Sequence, residues 1–366
     1  IADNVPNGLS TLPDGRYPVT VDEAETALPA ASAGPRGKQS ADDGGTTART
    51  ARDHSGMGAD GVDRDDDPIV TLQDVGHGYP TLREGYNRVL GGLDLELYAG
   101  DRVALVGANG SGKSTLLRLL TGLESPDEGT VTVLGRDTND TLPENLADDT
   151  VYIHQNPEEM FVEDTVRKDI GYYLENRDAD DVDERVDEIL AYLDLEELAD
   201  RDGRLMSLGQ QRRASLGIGL ATDPTIVLLD EPTGSLDLES RREVTGMLRK
   251  AESRVETVVI ASHDLQLVAE WADRVIVLDD GTVLADAPPS VVFDDSELLT
   301  AAKLRRPQVV ALSERLEFDS PVLTTDAMVD AIAAIEADRG LGNAMHDGES
   351  VGSRTTNDPW TPVEER

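Results

Sequence analysis

The chain of 366 residues has no cysteine. Disulfides and thiolate metal sites are thereby excluded, and a reducing cytoplasm is the natural setting. Long apolar runs are missing too: every hydrophobic stretch falls far short of the roughly 20 residues that span a bilayer. The start carries no secretory-signal pattern, so membrane association is expected only through partners. Lysine is almost absent, confined to Lys38, Lys113, Lys168, Lys250 and Lys303, with arginine supplying the remaining positive charge. Against 33 basic residues stand 73 acidic ones, for a formal net charge of −40. That excess argues against nucleic acid as a partner. It suits a cytoplasm of very high salt, where the Debye length falls to about 3 Å. The alternative is an acidic protein from ordinary salt with disordered tails.

Residues 1–67 are rich in Asp, Gly, Ser, Thr and Pro without sustained periodicity, and read as a disordered leader. Residues 339–366 have the same composition and read as a tail. Between them, Ile69-Val70-Thr71-Leu72 alternates like a strand, and Val103-Ala104-Leu105-Val106 forms a second. A helix is expected over residues 113–120, and another over 182–199, where Val182, Val186, Ile189, Leu190 and Leu193 keep helical spacing. Ile226-Val227-Leu228-Leu229, Val258-Val259-Ile260-Ala261 and Arg274-Val275-Ile276-Val277-Leu278 are apolar runs too short for helices and read as buried parallel strands. Alternating strands and helices give an α/β fold with a mainly parallel sheet. A short amphipathic helix carrying Met328, Ile332 and Ile335 is expected before the tail.

The strongest motif is Gly107-Ala108-Asn109-Gly110-Ser111-Gly112-Lys113-Ser114, which fits G-x-x-x-x-G-K-S between a strand and a helix. Such glycines let successive backbone N–H groups curl around a phosphate, and the helix N-terminus adds partial positive charge. Lys113 is placed to reach the β- and γ-phosphates of ATP, with Ser114 on Mg²⁺ and Thr115 beside it. Asp230-Glu231 closes a buried strand, so Asp230 suits the cation and Glu231 a water-polarising base.

Taken in order, the motifs resemble the ABC ATPase family over roughly residues 69–290. Tyr79 resembles the aromatic that stacks on adenine, and Gln155, after Thr150-Val151-Tyr152-Ile153, resembles the Q-loop glutamine that also meets Mg²⁺. Met206-Ser207-Leu208-Gly209-Gln210 stands where the family has L-S-G-G-Q, keeping Ser207, Gly209 and Gln210 but departing at Met206 and Leu208. Ser235-Leu236-Asp237 resembles the D-loop, and His263 in Ala261-Ser262-His263-Asp264 the switch histidine. The resemblance implies a P-loop NTPase (RecA-like) core with a helical signature subdomain and an antiparallel β edge. It places the ATP-binding domain at 68–290, the helical subdomain at about 157–221 and a C-terminal extension at 291–338. It implies Glu231, His263 and Gln155 as catalytic groups, and ATP and Mg²⁺ as cofactors. Two such domains pair head to tail, so Ser207, Gly209 and Gln210 would close the partner's site. The partner would be an identical or paralogous domain. An integral membrane subunit would be a further partner, placing the chain peripherally on the cytoplasmic face of the membrane.

Signature, D-loop and switch histidine together argue against a kinase. The single P-loop argues against a two-cassette translation factor, and the short span from Lys113 to Ser207 against a chromosome-type protein. Gln155-Asn156-Pro157, then Met160-Phe161, Thr165-Val166 and Asp169-Ile170-Gly171, resembles the energy-coupling-factor and cobalt-import ATPases. Those importers take up cobalt, nickel or vitamins; the alternative is a generic importer. Here Met160 replaces a usual Leu, and only one residue separates Asp169 from Gly171. Residues 155–171, with Met160 and Phe161 as an apolar pair among acids, are the expected docking surface for the membrane subunit; the alternative is that Met160 and Phe161 turn inward and belong to the core. Finally, Pro18-Val19-Thr20-Val21-Asp22 with Ala27-Leu28 echoes Pro321-Val322-Leu323-Thr324-Thr325-Asp326 with Ala331-Ile332. Residues 1–28 read either as the end of a preceding ATPase domain or as a chance likeness.

Overall fold

The computed structural model describes residues 67–346, apart from 82–84, 178, 235–237, 317 and 319. The echo at 18–28 and the D-loop motif Ser235-Leu236-Asp237 lie outside the described residues. The chain divides into two units, the larger ending at Thr324.

In the larger unit, strands β1 (Val70–Pro80), β2 (Tyr86–Leu97), β4 (Glu128–Val133) and β5 (Arg136–Asp137) form an antiparallel sheet in the order β2-β1-β4-β5. The second sheet contains β3 (Arg102–Val106), β6 (Thr150–Ile153), β7 (Ile226–Asp230), β8 (Thr257–Ala261), β9 (Arg274–Asp279) and β10 (Thr282–Ala287). Its order is β10-β9-β3-β8-β7-β6, parallel except for the antiparallel edge strand β10.

The apolar runs that read as strands are buried on both faces, as central parallel strands must be. Side chains alternate across the sheet with a period of two. Leu105, Leu228, Val259 and Ile276 face a core shared with the antiparallel sheet and helix α1 (Lys113–Leu120). Their neighbours Ala104, Val227, Ile260 and Val275 face a second core built largely by helices. These include α3 (Val166–Glu175), α4 (Val182–Tyr192) and α5 (Leu208–Leu220), preceded in the chain by the short α2 (Pro143–Leu146). Helix α6 (Leu238–Glu252) and α7 (Leu265–Trp271) close the same core. Short helices α8 (Pro289–Asp294), α9 (Ser296–Ala301) and α10 (Gln308–Arg315) follow the last strand.

Helix α4 stops at Tyr192, earlier than the spacing over 182–199 predicts. Asp194 takes a left-handed φ of 56°, which an α-helix cannot continue through. Leu193, Leu195 and Leu198 are nevertheless buried, the last by a 3₁₀ turn at Glu196–Leu198. The second unit contains α11 (Thr325–His346), whose 22 residues exceed the short helix expected there.

Candidate nucleotide site

The end of β3 and the start of α1 are joined by the Gly-rich loop, and its backbone admits no other residue at two points. Gly107 has φ 156°, and a Cβ there would stand 2.2 Å from the Leu278 carbonyl oxygen. Gly112 has φ 102°, with Leu90 Cδ2 only 2.5 Å from a Cβ. Lys113 is buried and donates to the carbonyl oxygens of Gly107 at 2.9 Å and Ala108 at 3.3 Å. Burial pushes its ammonium below the ordinary lysine range, an effect partly opposed by Glu231 and Asp230. The Ser111 hydroxyl is buried with no hydrogen-bond partner. Asn109 and Gly110 are exposed at the loop's crest, while Ser114 is half-buried and Thr115 buried.

Tyr79, at the end of β1, reaches back to α1. Its hydroxyl donates to Glu124 at 2.6 Å and lies 3.2 Å from Thr115 Oγ1. Its ring meets His77 edge-on at 5.1 Å. Burial and Glu124 raise its phenol above the ordinary value.

Asp230 and Glu231 leave β7 buried, beside β8. Asp230 Oδ2 accepts a 2.8 Å bond from the Tyr152 hydroxyl, whereas Oδ1 is buried and has no hydrogen-bond partner. Glu231 has a left-handed φ of 47°, a conformation that costs a non-glycine residue roughly 1–3 kcal/mol and persists where its surroundings hold it. Three backbone restraints meet there: Glu231 N–H donates to Ala261 at 2.8 Å, Gly234 N–H donates to Glu231 at 3.0 Å, and Arg212 Nη1 donates to the Glu231 carbonyl at 3.4 Å. The Glu231 carboxylate then meets His263, with Oε2 2.5 Å from Nδ1 and 3.3 Å from the backbone nitrogen. Gln155 is exposed, with its amide nitrogen 3.9 Å from where a Gly234 Cβ would stand.

The structure thus brings Lys113, Asp230, Glu231 and His263 together beyond the carboxyl ends of the interior strands β3, β7 and β8, with Gln155 near the loop that follows β7. The signature residues have local roles here. Ser207 Oγ accepts from Gln210 N–H at 3.4 Å and Gln210 Oε1 accepts from Ser207 N–H at 3.1 Å, a reciprocal cap on α5. Gly209 is crowded by Glu243, 2.7 Å from where a Cβ would lie. Leu208 is half-buried at the first position of α5, and Met206 packs on the helical core.

One expectation is overturned. Phe161 is buried, only 5 % exposed, so it is not a docking residue. Its ring lies over Gly203, where a Cβ would come within 2.4 Å of it, and Met160 is partly buried on the same core. The acids Glu158, Glu159 and Asp164 take the solvent instead, and Val162 is the exposed apolar residue at 61 %. Asp169, at the start of α3, holds this turn by accepting the N–H groups of Val162 and Glu163, each at 2.8 Å. Burial raises its carboxyl above the usual range.

A hard divalent cation takes carboxylate and hydroxyl oxygens. The buried, partnerless Asp230 Oδ1 and the Ser114 hydroxyl fit that preference. Two residues escaped the sequence reading. Tyr152 enters that reading only as part of a strand, and Arg212 does not enter it at all. Arg212 is buried, also donates to Gly234 at 2.7 Å, and has its charge disfavoured by burial.

Comparison with known proteins agrees with this geometry. The ABC transporter family profile matches residues 90–234. The energy-coupling factor transporter ATP-binding protein EcfA1 of Halalkalibacterium halodurans is 32% identical over 271 residues, spanning 72% of this chain and 94% of its own. The solved structure of cbiO1 from Clostridium perfringens, part of the ABC transporter complex cbiONQ, superposes with a TM-score of 0.58 at 26% identity, over 68% of this chain and 100% of that one. A dimeric post-hydrolysis state of the ATP-binding cassette MJ0796, bound to ADP and Pi, superposes with a TM-score of 0.55 at 28% identity, over 60% and 99%. This chain belongs to the ABC transporter family, as an ATP-hydrolysing ATP-binding protein of the energy-coupling-factor group.

Proposed function

We propose that the chain closes on ATP together with a second ATPase domain, identical or paralogous, and drives an importer through an integral membrane subunit. The protein then sits peripherally on the cytoplasmic face of the membrane, held by that subunit; no helix among the described residues is long and apolar enough to cross it.

The Gly-rich loop, residues 107–115, receives the phosphates, and Tyr79 the adenine. Ser114, Asp230 and Gln155 would hold Mg²⁺, which supplies charge neutralisation across the phosphates. Lys113 gives up its loop carbonyls for phosphate oxygens. Glu231, the residue that follows β7, accepts the proton of the attacking water. His263 orients that carboxylate by donating from Nδ1, and in its doubly protonated form it would also donate from Nε2 to the γ-phosphate. Ser207, Gly209 and Gln210 present the N-terminus of α5 to the partner's nucleotide, where its partial positive charge favours phosphate. Asp237 would contribute across the same interface. The face from 155 to 171, with Val162 rather than Phe161 as its apolar contact, meets the membrane subunit.

The contact between Glu231 and His263 at 2.5 Å carries this reading. Its test is Glu231→Gln. Removing a positioned base slows turnover by about 10²–10⁴-fold. ATP binding persists because the loop is intact, and an ATP-bound dimer accumulates on gel filtration. Unchanged turnover in the purified variant would refute the role of Glu231.

A further inference from the structure

Tyr152 has no role in the reading above, yet its hydroxyl touches the carboxylate that would meet the cation. The contact follows from strand register. Strand β6 runs parallel to β7 with Tyr152 opposite Leu228, so Tyr152 projects to the same face as Leu228 and, two residues on, Asp230. Its ring packs on the core beside Leu228. The hydroxyl then reaches past the end of the strand to Asp230 Oδ2, at 2.8 Å.

Arg118, on α1, interacts with the same hydroxyl. A guanidinium can only donate, so the phenolic proton is left for Asp230. Arg118 also reaches Tyr79 at 3.4 Å and Glu124 at 3.1 Å. The hydroxyl is thereby held at the centre of a network running from the adenine end of the site to its cation end. The consequence falls on Asp230. One oxygen is occupied by Tyr152, and the other is buried and has no hydrogen-bond partner.

We infer that Tyr152 is a positioning residue: its hydroxyl holds Oδ2 of Asp230 so that Oδ1 is presented to the divalent cation or to its bound water. This rests on the assignment of Asp230 as the cation's carboxylate. Partners of this kind fix ligand orientation, and losing one typically lowers metal affinity by about 10–100-fold.

The experiment measures Mn²⁺ affinity of the ATP complex by electron paramagnetic resonance, and separately the affinity for metal-free ATP, in the full chain. Tyr152→Phe keeps the ring and its packing and loses only the hydroxyl; Tyr152→Met serves as a second variant if the first melts early. The expected result is Mn²⁺ affinity lower by about 10-fold with metal-free ATP affinity unchanged. Equal loss of both affinities would mean general disturbance of the site and would overturn the inference, as would unchanged Mn²⁺ affinity. Asp230→Asn separates the two levels. If it leaves Mn²⁺ binding intact, the assignment of Asp230 fails; if it weakens binding while Tyr152→Phe does not, only the role of Tyr152 fails.

Discussion

Lys113 shows how the loop holds a cation ready for phosphate. Its ammonium is satisfied by two loop carbonyls, but burial still disfavours its charge. Phosphate oxygens favour the charged form, so bound ATP raises a pKa that burial has lowered. The sign follows. Below the lowered value Lys113 is charged in both states and affinity is full. As pH rises through that value towards the ordinary one near 10.4, binding must take up a proton and affinity falls. Calorimetric titration with ATP in two buffers of different ionisation heat should show this uptake beginning below the ordinary lysine range. In Lys113→Arg, whose guanidinium does not titrate there, the uptake should vanish. Affinity flat up to the ordinary lysine pKa would contradict the argument. At this scale, Lys113, Asp230, Glu231 and His263 were legible because each sits in a motif of fixed spacing. Tyr152 and Arg212 were not, because their partners are set by which strand lies beside β6 and which face of α5 turns to the Glu231 loop. Local sequence contains neither.

Elements were legible where period and length agreed. The buried strands β3, β7, β8 and β9 follow from short apolar runs that end in turns, and α1 from the motif that opens it. The side-chain direction of Phe161 was not legible. An apolar pair among four acids looks the same whether it faces solvent or core. The outcome depends on Gly203, distant in sequence, leaving room for the ring. The burial makes a definite prediction. Phe161→Ala removes a buried ring and should cost about 3–5 kcal/mol, lowering the melting temperature by roughly ten degrees in a domain of this size. Binding to the membrane subunit, measured at a temperature where the variant is folded, should survive. An unchanged melting temperature with lost partner binding would restore the docking role.

The whole molecule must carry a net charge of −40, and many of its positive groups among the described residues are paired. Of the described lysines, Lys113 serves the loop, Lys168 pairs with Asp164, Lys250 with Asp194 and Lys303 with Asp279. Arginines pair similarly, Arg102 with Asp273 and Arg167 with Asp187 at the surface. Arg274 is buried between Asp101 and Asp286, tying the entry of β3 to the edge hairpin. Added salt acts on these terms with opposite signs. It weakens the exposed pairs, each of which contributes about 0–1 kcal/mol, and leaves the buried Arg274 cluster nearly untouched. It also screens the repulsion among the unpaired carboxylates, and that repulsion grows with every pair of like charges rather than with every residue. The second effect dominates at so large an imbalance. The melting temperature should therefore rise as KCl is increased from low to molar concentration, with ATP hydrolysis highest at the upper end. Chloride and sulfate salts of potassium at equal ionic strength should both give a rise, since screening depends on ionic strength. A melting temperature that stays flat or falls over this range would show that the carboxylates are spread widely enough not to repel, and the high-salt reading of the composition would be lost.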